Sequence, residues 1–287
     1  MKTIGFVSEK GGTGKSTSLI LVSRATAEQV CELCEQEASV DLAEGRGQEL
    51  SSEADIKLTN RVLVIDLDTL GSTTMHFLPD DLREQDPYGK KHVAAAMTDE
   101  RDDNLRDYII ASSYIGIDLL RCSDSIRRIA FTQNLIRNKI RVSKLEDFYD
   151  FIFIDTPATY NPLHISALTA VNTIVTPVNP SLFDYSASEH LKTWINQDIS
   201  EDADWHFFFT RMKPENDGQS EYIRMFKQRF GEERFYSSMI PDSIKVKNTI
   251  DRKYAISHAR IFMDFRAAVC GLASEMTGIT VDPKECF

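Results

Sequence analysis

Apolar residues fall in short, mostly unbroken runs that end in polar or charged positions. Thr3-Ile4-Gly5-Phe6-Val7, Arg61-Val62-Leu63-Val64-Ile65, Ile117-Asp118-Leu119-Leu120 and Phe151-Ile152-Phe153-Ile154 are four of them. Asn172-Thr173-Ile174-Val175-Thr176-Pro177-Val178 and Trp205-His206-Phe207-Phe208-Phe209-Thr210 are two more. Continuous runs of this length, rich in β-branched and aromatic residues, predict strands buried on both faces, as in parallel sheets. Helix-capable stretches separate them: Lys15 to about Glu35, His92 to Met97, Ser125 to about Glu146 and Ser186 to Asn196. This alternation predicts an α/β fold with a doubly wound, mainly parallel sheet flanked by helices. Residues 36–60 are polar with few apolar positions, which predicts a partly flexible surface insertion. No repeat, linker or low-complexity tract divides the 287 residues, so they read as a single domain, large enough to bury roughly 75% of the unfolded surface.

Chemistry gathers where these runs end. The first feeds Glu9-Lys10-Gly11-Gly12-Thr13-Gly14-Lys15-Ser16-Thr17 and then a helix. Closely spaced glycines let successive backbone N–H groups converge on one anion, because no Cβ blocks the approach. Lys15 would reach β- and γ-phosphates, Ser16 would ligate Mg²⁺, and the positive helix end would add to the site. The second run ends in Asp66-Leu67-Asp68 and the fourth in Asp155-Thr156-Pro157. Carboxylates closing a buried strand suit a cation or a polar reactant, and Asp155 suits a water-mediated Mg²⁺ ligand.

Lys10-Gly11-Gly12-Thr13-Gly14-Lys15-Ser16 resembles the deviant Walker A box of the ParA/MinD family of ATPases: Glu9 stands where the general phosphate loop has glycine, and Lys10 is a second lysine. Asp66-Leu67-Asp68-Thr69-Leu70-Gly71 resembles the family's Asp-x-Asp-Pro-Gln-Gly-Asn box, with Thr69 and Leu70 where Pro and Gln are common. Asp155-Thr156-Pro157 resembles its Asp-x-Pro box, followed by Ala158-Thr159-Tyr160-Asn161 where many members carry Pro and Gly. The resemblance runs through nearly the whole chain in motif order and is nearest to ParA/Soj-type DNA partition ATPases. It implies ATP and Mg²⁺ as ligands, with Gly11, Gly12, Thr13, Gly14, Lys15, Ser16 and Thr17 around the phosphates. It implies Asp68 orienting the attacking water, and Ser16, Asp66 and Asp155 in the Mg²⁺ shell. Thr210 and Arg211, with Pro241 and Asp242 of the Ile-Pro turn, would flank the adenine. ATP would close a sandwich homodimer in which Lys10 reaches the partner's phosphates, and slow hydrolysis, stimulated by a ParB-like or other adaptor protein, would open it.

Charge distribution bears on the cargo. The net charge is −11, yet residues 28–55 alone contribute −8 while residues 121–144 carry +6. Binding responds to local potential. Arg137, Arg141 and Lys144 recur at helical spacing as a basic stripe, and Lys245, Lys247, Arg252 and Lys253 lie in a second basic stretch. Both are candidates for nonspecific DNA contact, and a merely solvated face is the alternative. Plasmid or DNA partition is the first reading; the same engine positioning a protein organelle or chemosensory array is the second. An electron-transfer relative such as the nitrogenase iron protein would need cluster cysteines after Asp155, and none lies between Cys122 and Cys270. Cys31-x-x-Cys34 falls within the first helix and reads as a pair of ordinary helix residues, and the five cysteines read as reduced thiols. His76 and His92 lack metal-type spacing and read as structural or solvated. The start at the first strand reads as no signal peptide and no N-terminal DNA-reading domain. The chain lacks a ~20-residue apolar span and a basic amphipathic C-terminal helix. The expectation is a cytoplasmic, nucleoid-associated protein with no membrane anchor.

Overall fold

Strand-forming runs become a single sheet because each is apolar on both faces and needs cover on both. The computed structural model describes residues 1–43, 61–85, 89–100, 105–200, 203–213, 217–243, 246, 250 and 263–279. Its strands are β1 (Lys2–Phe6), β2 (Val62–Asp66), β3 (Ile110–Ala111), β4 (Ile117–Leu120), β5 (Phe151–Asp155), β6 (Thr173–Val178), β7 (Trp205–Met212) and β8 (Ile240–Pro241). They form an eight-stranded sheet in the order β3-β4-β2-β5-β1-β6-β7-β8, parallel except for β3 against β4. The helices are α1 (Lys15–Ala43), α2 (Ser72–Phe77), α3 (Asp80–Gln85), α4 (Val93–Thr98), α5 (Leu135–Val142), α6 (Pro162–Thr169), α7 (Leu182–Asp198), α8 (Asp217–Phe230) and α9 (Met263–Thr277).

Alternate residues of each strand serve two cores. Val62 and Val64 of β2, with Phe151 and Phe153 of β5, join Leu19, Val22, Val269 and Leu272 on the face covered by α1 and α9. Leu63, Ile65, Ile152 and Ile154 point the other way, against Val93 of α4, Ile136 and Ile140 of α5 and Leu163 of α6. Further along, Phe207 and Phe209 pack on Leu191 of α7 and Phe226 of α8. α1 lies between sheet and α9, so residues 18–27 are buried all round.

Two expectations need correction. The first helix runs on to Ala43 rather than ending near Glu35, because residues 36–43 hold no Gly or Pro to stop it. Only 36–43 of the expected insertion are therefore described, and they are helical; 44–60 lie outside the described residues. The helix expected from Ser125 to about Glu146 is instead a 3-10 turn, Asp124–Arg128, then α5, then a 3-10 turn, Leu145–Asp147. Tertiary hydrogen bonds replace helical ones between them: Thr169 Oγ1 donates to the Gln133 carbonyl, and Ser166 Oγ accepts from Ile136 N–H at 3.2 Å. Among the described residues no helix is long and apolar enough to cross a membrane.

Candidate nucleotide site

Parallel pairing brings the chemistry together. Register places Phe6 beside Asp155 and Asp155 beside Asp66, so the C-terminal ends of β1, β5 and β2 stand level. From the end of β1 the chain turns through 8–14 into α1. Ser8 Oγ donates to Lys10 O at 2.6 Å and lies 2.9 Å from Thr13 Oγ1, while Thr210 Oγ1 donates to Thr13 O at 2.8 Å. These bonds hold the loop by carbonyls and hydroxyls and leave its N–H groups available: among the described residues, none from Lys10 to Lys15 donates to a protein acceptor. Gly12 and Gly14 have φ of 80° and 91°, the left-handed region that such a concave nest of amides requires.

At the mouth of the nest one ammonium faces two carboxylates, and a third stands beside one of them in the sheet. Lys15 is 7% exposed, with Nζ 2.5 Å from Asp155 Oδ1 and 3.8 Å from Asp68 Oδ2. Thr73 Oγ1 donates to the other Asp155 oxygen at 2.7 Å. Asp66 is fully buried; its Oδ2 accepts from Thr74 N–H at 2.8 Å and Thr74 Oγ1 at 2.7 Å, and its Oδ1 accepts from Asp68 N–H at 3.0 Å. Burial, and after it the charge of Asp155, push the Asp66 carboxyl up to about 7 against those hydrogen bonds. Asp68 Oδ1 accepts from Leu70 N–H at 3.0 Å. Ser16 lies half-buried in the first turn of α1. An excess of negative oxygens beside a nest of N–H donors fits a hard divalent cation bound with a polyphosphate. Mg²⁺ is completed by substrate oxygens and water and needs no all-protein cage.

On the rim, Lys10 Nζ pairs with Asp184 Oδ2 at 2.5 Å and lies 5.7 Å from the centre of the Phe183 ring. β7 and β8 pair Thr210 with Ile240 and Met212 with Pro241. They open a cavity of about 520 Å³ lined by Gly14, Thr17, Thr210, Arg211, Pro241 and Asp242, among others. Strand end and Ile-Pro turn, far apart in sequence, thus wall one cavity beside the phosphate loop. Arg211 has a φ of 54°.

The candidate DNA residues are not brought together in the way expected. Arg137 and Arg141 are exposed on α5, but Lys144 follows the helix with a left-handed φ of 49°, so the expected stripe is two residues long. Lys139, between them, is buried and donates to Asp99 O at 2.5 Å. Lys245, Lys247, Arg252 and Lys253 lie outside the described residues. His92 accepts Ala95 N–H at 3.0 Å and so caps α4; His76 is buried, stacked 5.1 Å from Tyr114. Sequence reasoning passed over Thr73, Thr74 and Asp184, which orient the site's charges. Only the adjacency of Thr73-Thr74 to the Asp-x-Asp box signalled the first two.

The AAA domain family model AAA_31 matches residues 49–203. A ParA family protein of Chlamydia trachomatis serovar D is 26% identical over 202 residues, 68% of this chain and 65% of the relative, so the chain spans about two thirds of that protein's length. A plasmid partition protein of Borrelia burgdorferi has a similar fold: TM-score 0.64, 18% identity, 96% of this chain and 98% of that one. So does an aspartate-to-alanine variant of Cyanothece McdA in complex with ATP: TM-score 0.73, 16% identity, 98% of each chain. Matched by a family model over more than half its length and folded with the phosphate loop at the first strand, the chain belongs to the ParA/MinD-type P-loop ATPase family.

Proposed function

We propose that the chain is a Mg²⁺-dependent ATPase that partitions DNA or a plasmid: its ATP-bound homodimer holds DNA nonspecifically, and hydrolysis, stimulated by a ParB-like partner, releases it. The observation that carries this reading is the convergence of Lys15, Asp155, Asp68 and Asp66 at the mouth of the amide nest, with Lys10 on its rim.

In this reading the nest and Lys15 bind the β- and γ-phosphates, and Lys15 exchanges Asp155 for phosphate oxygens. Ser16, Asp66 and Asp155 would hold Mg²⁺, which when bound neutralises charge on the transferred phosphoryl group. Asp68 orients the attacking water. Thr210, Arg211, Pro241 and Asp242 enclose the adenine. Lys10 leaves Asp184 and reaches the phosphates of the second protomer, which makes dimerisation depend on ATP.

Binding to random-sequence duplex DNA with ATP, ADP or no nucleotide, across a salt series, tests this. ATP-dependent binding is expected, with a slope of roughly −0.9 in log K against log salt for each phosphate contact. ATP turnover with no DNA binding in any state would defeat partition. It would leave the second reading, positioning of a non-DNA cargo, which the short Arg137/Arg141 pair favours.

A further inference from the structure

One short segment holds both flanks of the turn that carries Asp68. Gly71 N–H closes this turn on Asp68 O at 2.9 Å, and Leu70 N–H donates to Asp68 Oδ1 at 3.0 Å. The second bond sets the orientation of the carboxylate whose other oxygen lies 3.8 Å from Lys15 Nζ. On one flank Gly71 has a φ of 65°, and a Cβ there would stand 2.8 Å from Cys122 Sγ. Cys122 N–H in turn donates to Thr74 Oγ1 at 2.9 Å. On the other flank Arg127 donates to Thr69 Oγ1 twice, from Nη2 at 2.5 Å and from Nε at 3.2 Å. Cys122 precedes the 3-10 turn Asp124–Arg128 and Arg127 belongs to it; the turn is capped by Ser123 Oγ and anchored by Ile126, which is 1% exposed.

Thr69 is one of the two positions at which this chain departs from the Asp-x-Asp-Pro-Gln pattern. A proline there offers no hydroxyl, so the contact exists only because threonine stands in its place. Arginine suits the other end: its planar fork directs two N–H groups at one acceptor and so fixes orientation as well as distance.

We propose that Arg127 is a positioning residue for hydrolysis: through Thr69 it holds the turn that aims Asp68, and it sets turnover without contributing to nucleotide binding. The inference rests on the ATPase reading above.

Turnover at saturating ATP and the affinity for a fluorescent ATP analogue, in wild type, Arg127→Ala, Arg127→Lys, Thr69→Val and the Arg127→Ala/Thr69→Val pair, test it. Loss of a charge-assisted hydrogen bond predicts a kcat lower by roughly tenfold in either single alanine or valine variant, with analogue affinity within about twofold. The double variant is expected to be no worse than the singles, since both remove one contact, and Arg127→Lys to keep part of the rate. Unchanged kcat in Arg127→Ala, additive losses, or an equal fall in affinity overturns the inference while leaving the ATPase reading intact. A wild type without turnover defeats the ATPase reading itself. Backbone hydrogen exchange at Leu70 and Gly71 probes the same contact without nucleotide: faster exchange in Arg127→Ala is expected, and unchanged exchange overturns it.

Discussion

Lys10 Nζ and Asp184 Oδ2 lie 2.5 Å apart, an ion pair that ties the phosphate loop to the first turn of α7. The carboxylate is the fixed partner: it is buried, with Ser181 Oγ donating to Oδ2 at 2.7 Å and Asn179 N–H to Oδ1 at 3.1 Å. The lysine side chain is 37% exposed and is the member free to leave. In this state the lysine that the proposed mechanism sends across a dimer is satisfied within its own protomer.

Lys10→Ala is therefore expected to keep ATP affinity within a few-fold and to weaken ATP-dependent dimerisation by at least about tenfold, the worth of one charge-assisted contact. Asp184→Asn weakens the competing pair, and its dimer is expected to be tighter than wild type. Sedimentation with and without ATP separates these; a Lys10→Ala protein that dimerises normally ends the cross-dimer role.

Lys15→Ala removes the buried charge at the end of the phosphate loop and leaves Asp155 without its closest cation. Nucleotide affinity is expected to fall roughly a hundredfold. Titration of a fluorescent nucleotide measures it, and retention of near-normal affinity would remove Lys15 from the phosphate site.

Asp66 titrates in the opposite sense to a paired carboxylate. Its folded-state value, about 7, lies above the usual carboxylate range, so its proton stabilises the fold below about pH 4 and that contribution is lost as pH rises through 7. In chelator-treated, nucleotide-free protein, Asp66→Asn is expected to gain melting temperature relative to wild type between pH 5 and pH 8. Parallel pH profiles would contradict the assigned environment.

His164 is buried beside this cluster, with Nδ1 3.3 Å from Thr159 O. Burial and the nearby Lys15 charge hold it down to about 4. The unfolded chain takes up a proton near pH 6.5 and the folded chain does not, so stability falls as pH drops from about 6.5 to 4, by ~3 kcal/mol over the whole window. Urea unfolding of wild type and His164→Gln at pH 7.5, 6 and 5 tests this; the variant is expected to lose less.

Arg137→Glu with Arg141→Glu reverses two charges on the exposed face of α5. If that face meets DNA, affinity should fall and the salt slope should shrink by about two contacts' worth. Unchanged affinity returns the pair to an ordinary solvated surface.

Much of the fold was legible because its signals are local. Apolar runs ending in carboxylates marked β2 and β5, and a glycine-rich turn between a strand and a helix marked the phosphate loop, since amide convergence depends on backbone freedom within a few residues. Residues 124–147 were less legible: their Ile spacing suits one helix, but hydrogen bonds from α6 divide it.

The sequence by itself determined which residues can bind phosphate, which strands are buried and in what order the charged strand ends occur. Only the tertiary structure decided how those charges share their partners: Lys15 with Asp155, Lys10 with Asp184, Thr69 with Arg127. Register between parallel strands sets Asp66 beside Asp155, and helix docking sets α7 against the loop. Both depend on contacts between segments more than eighty residues apart, which no local periodicity encodes.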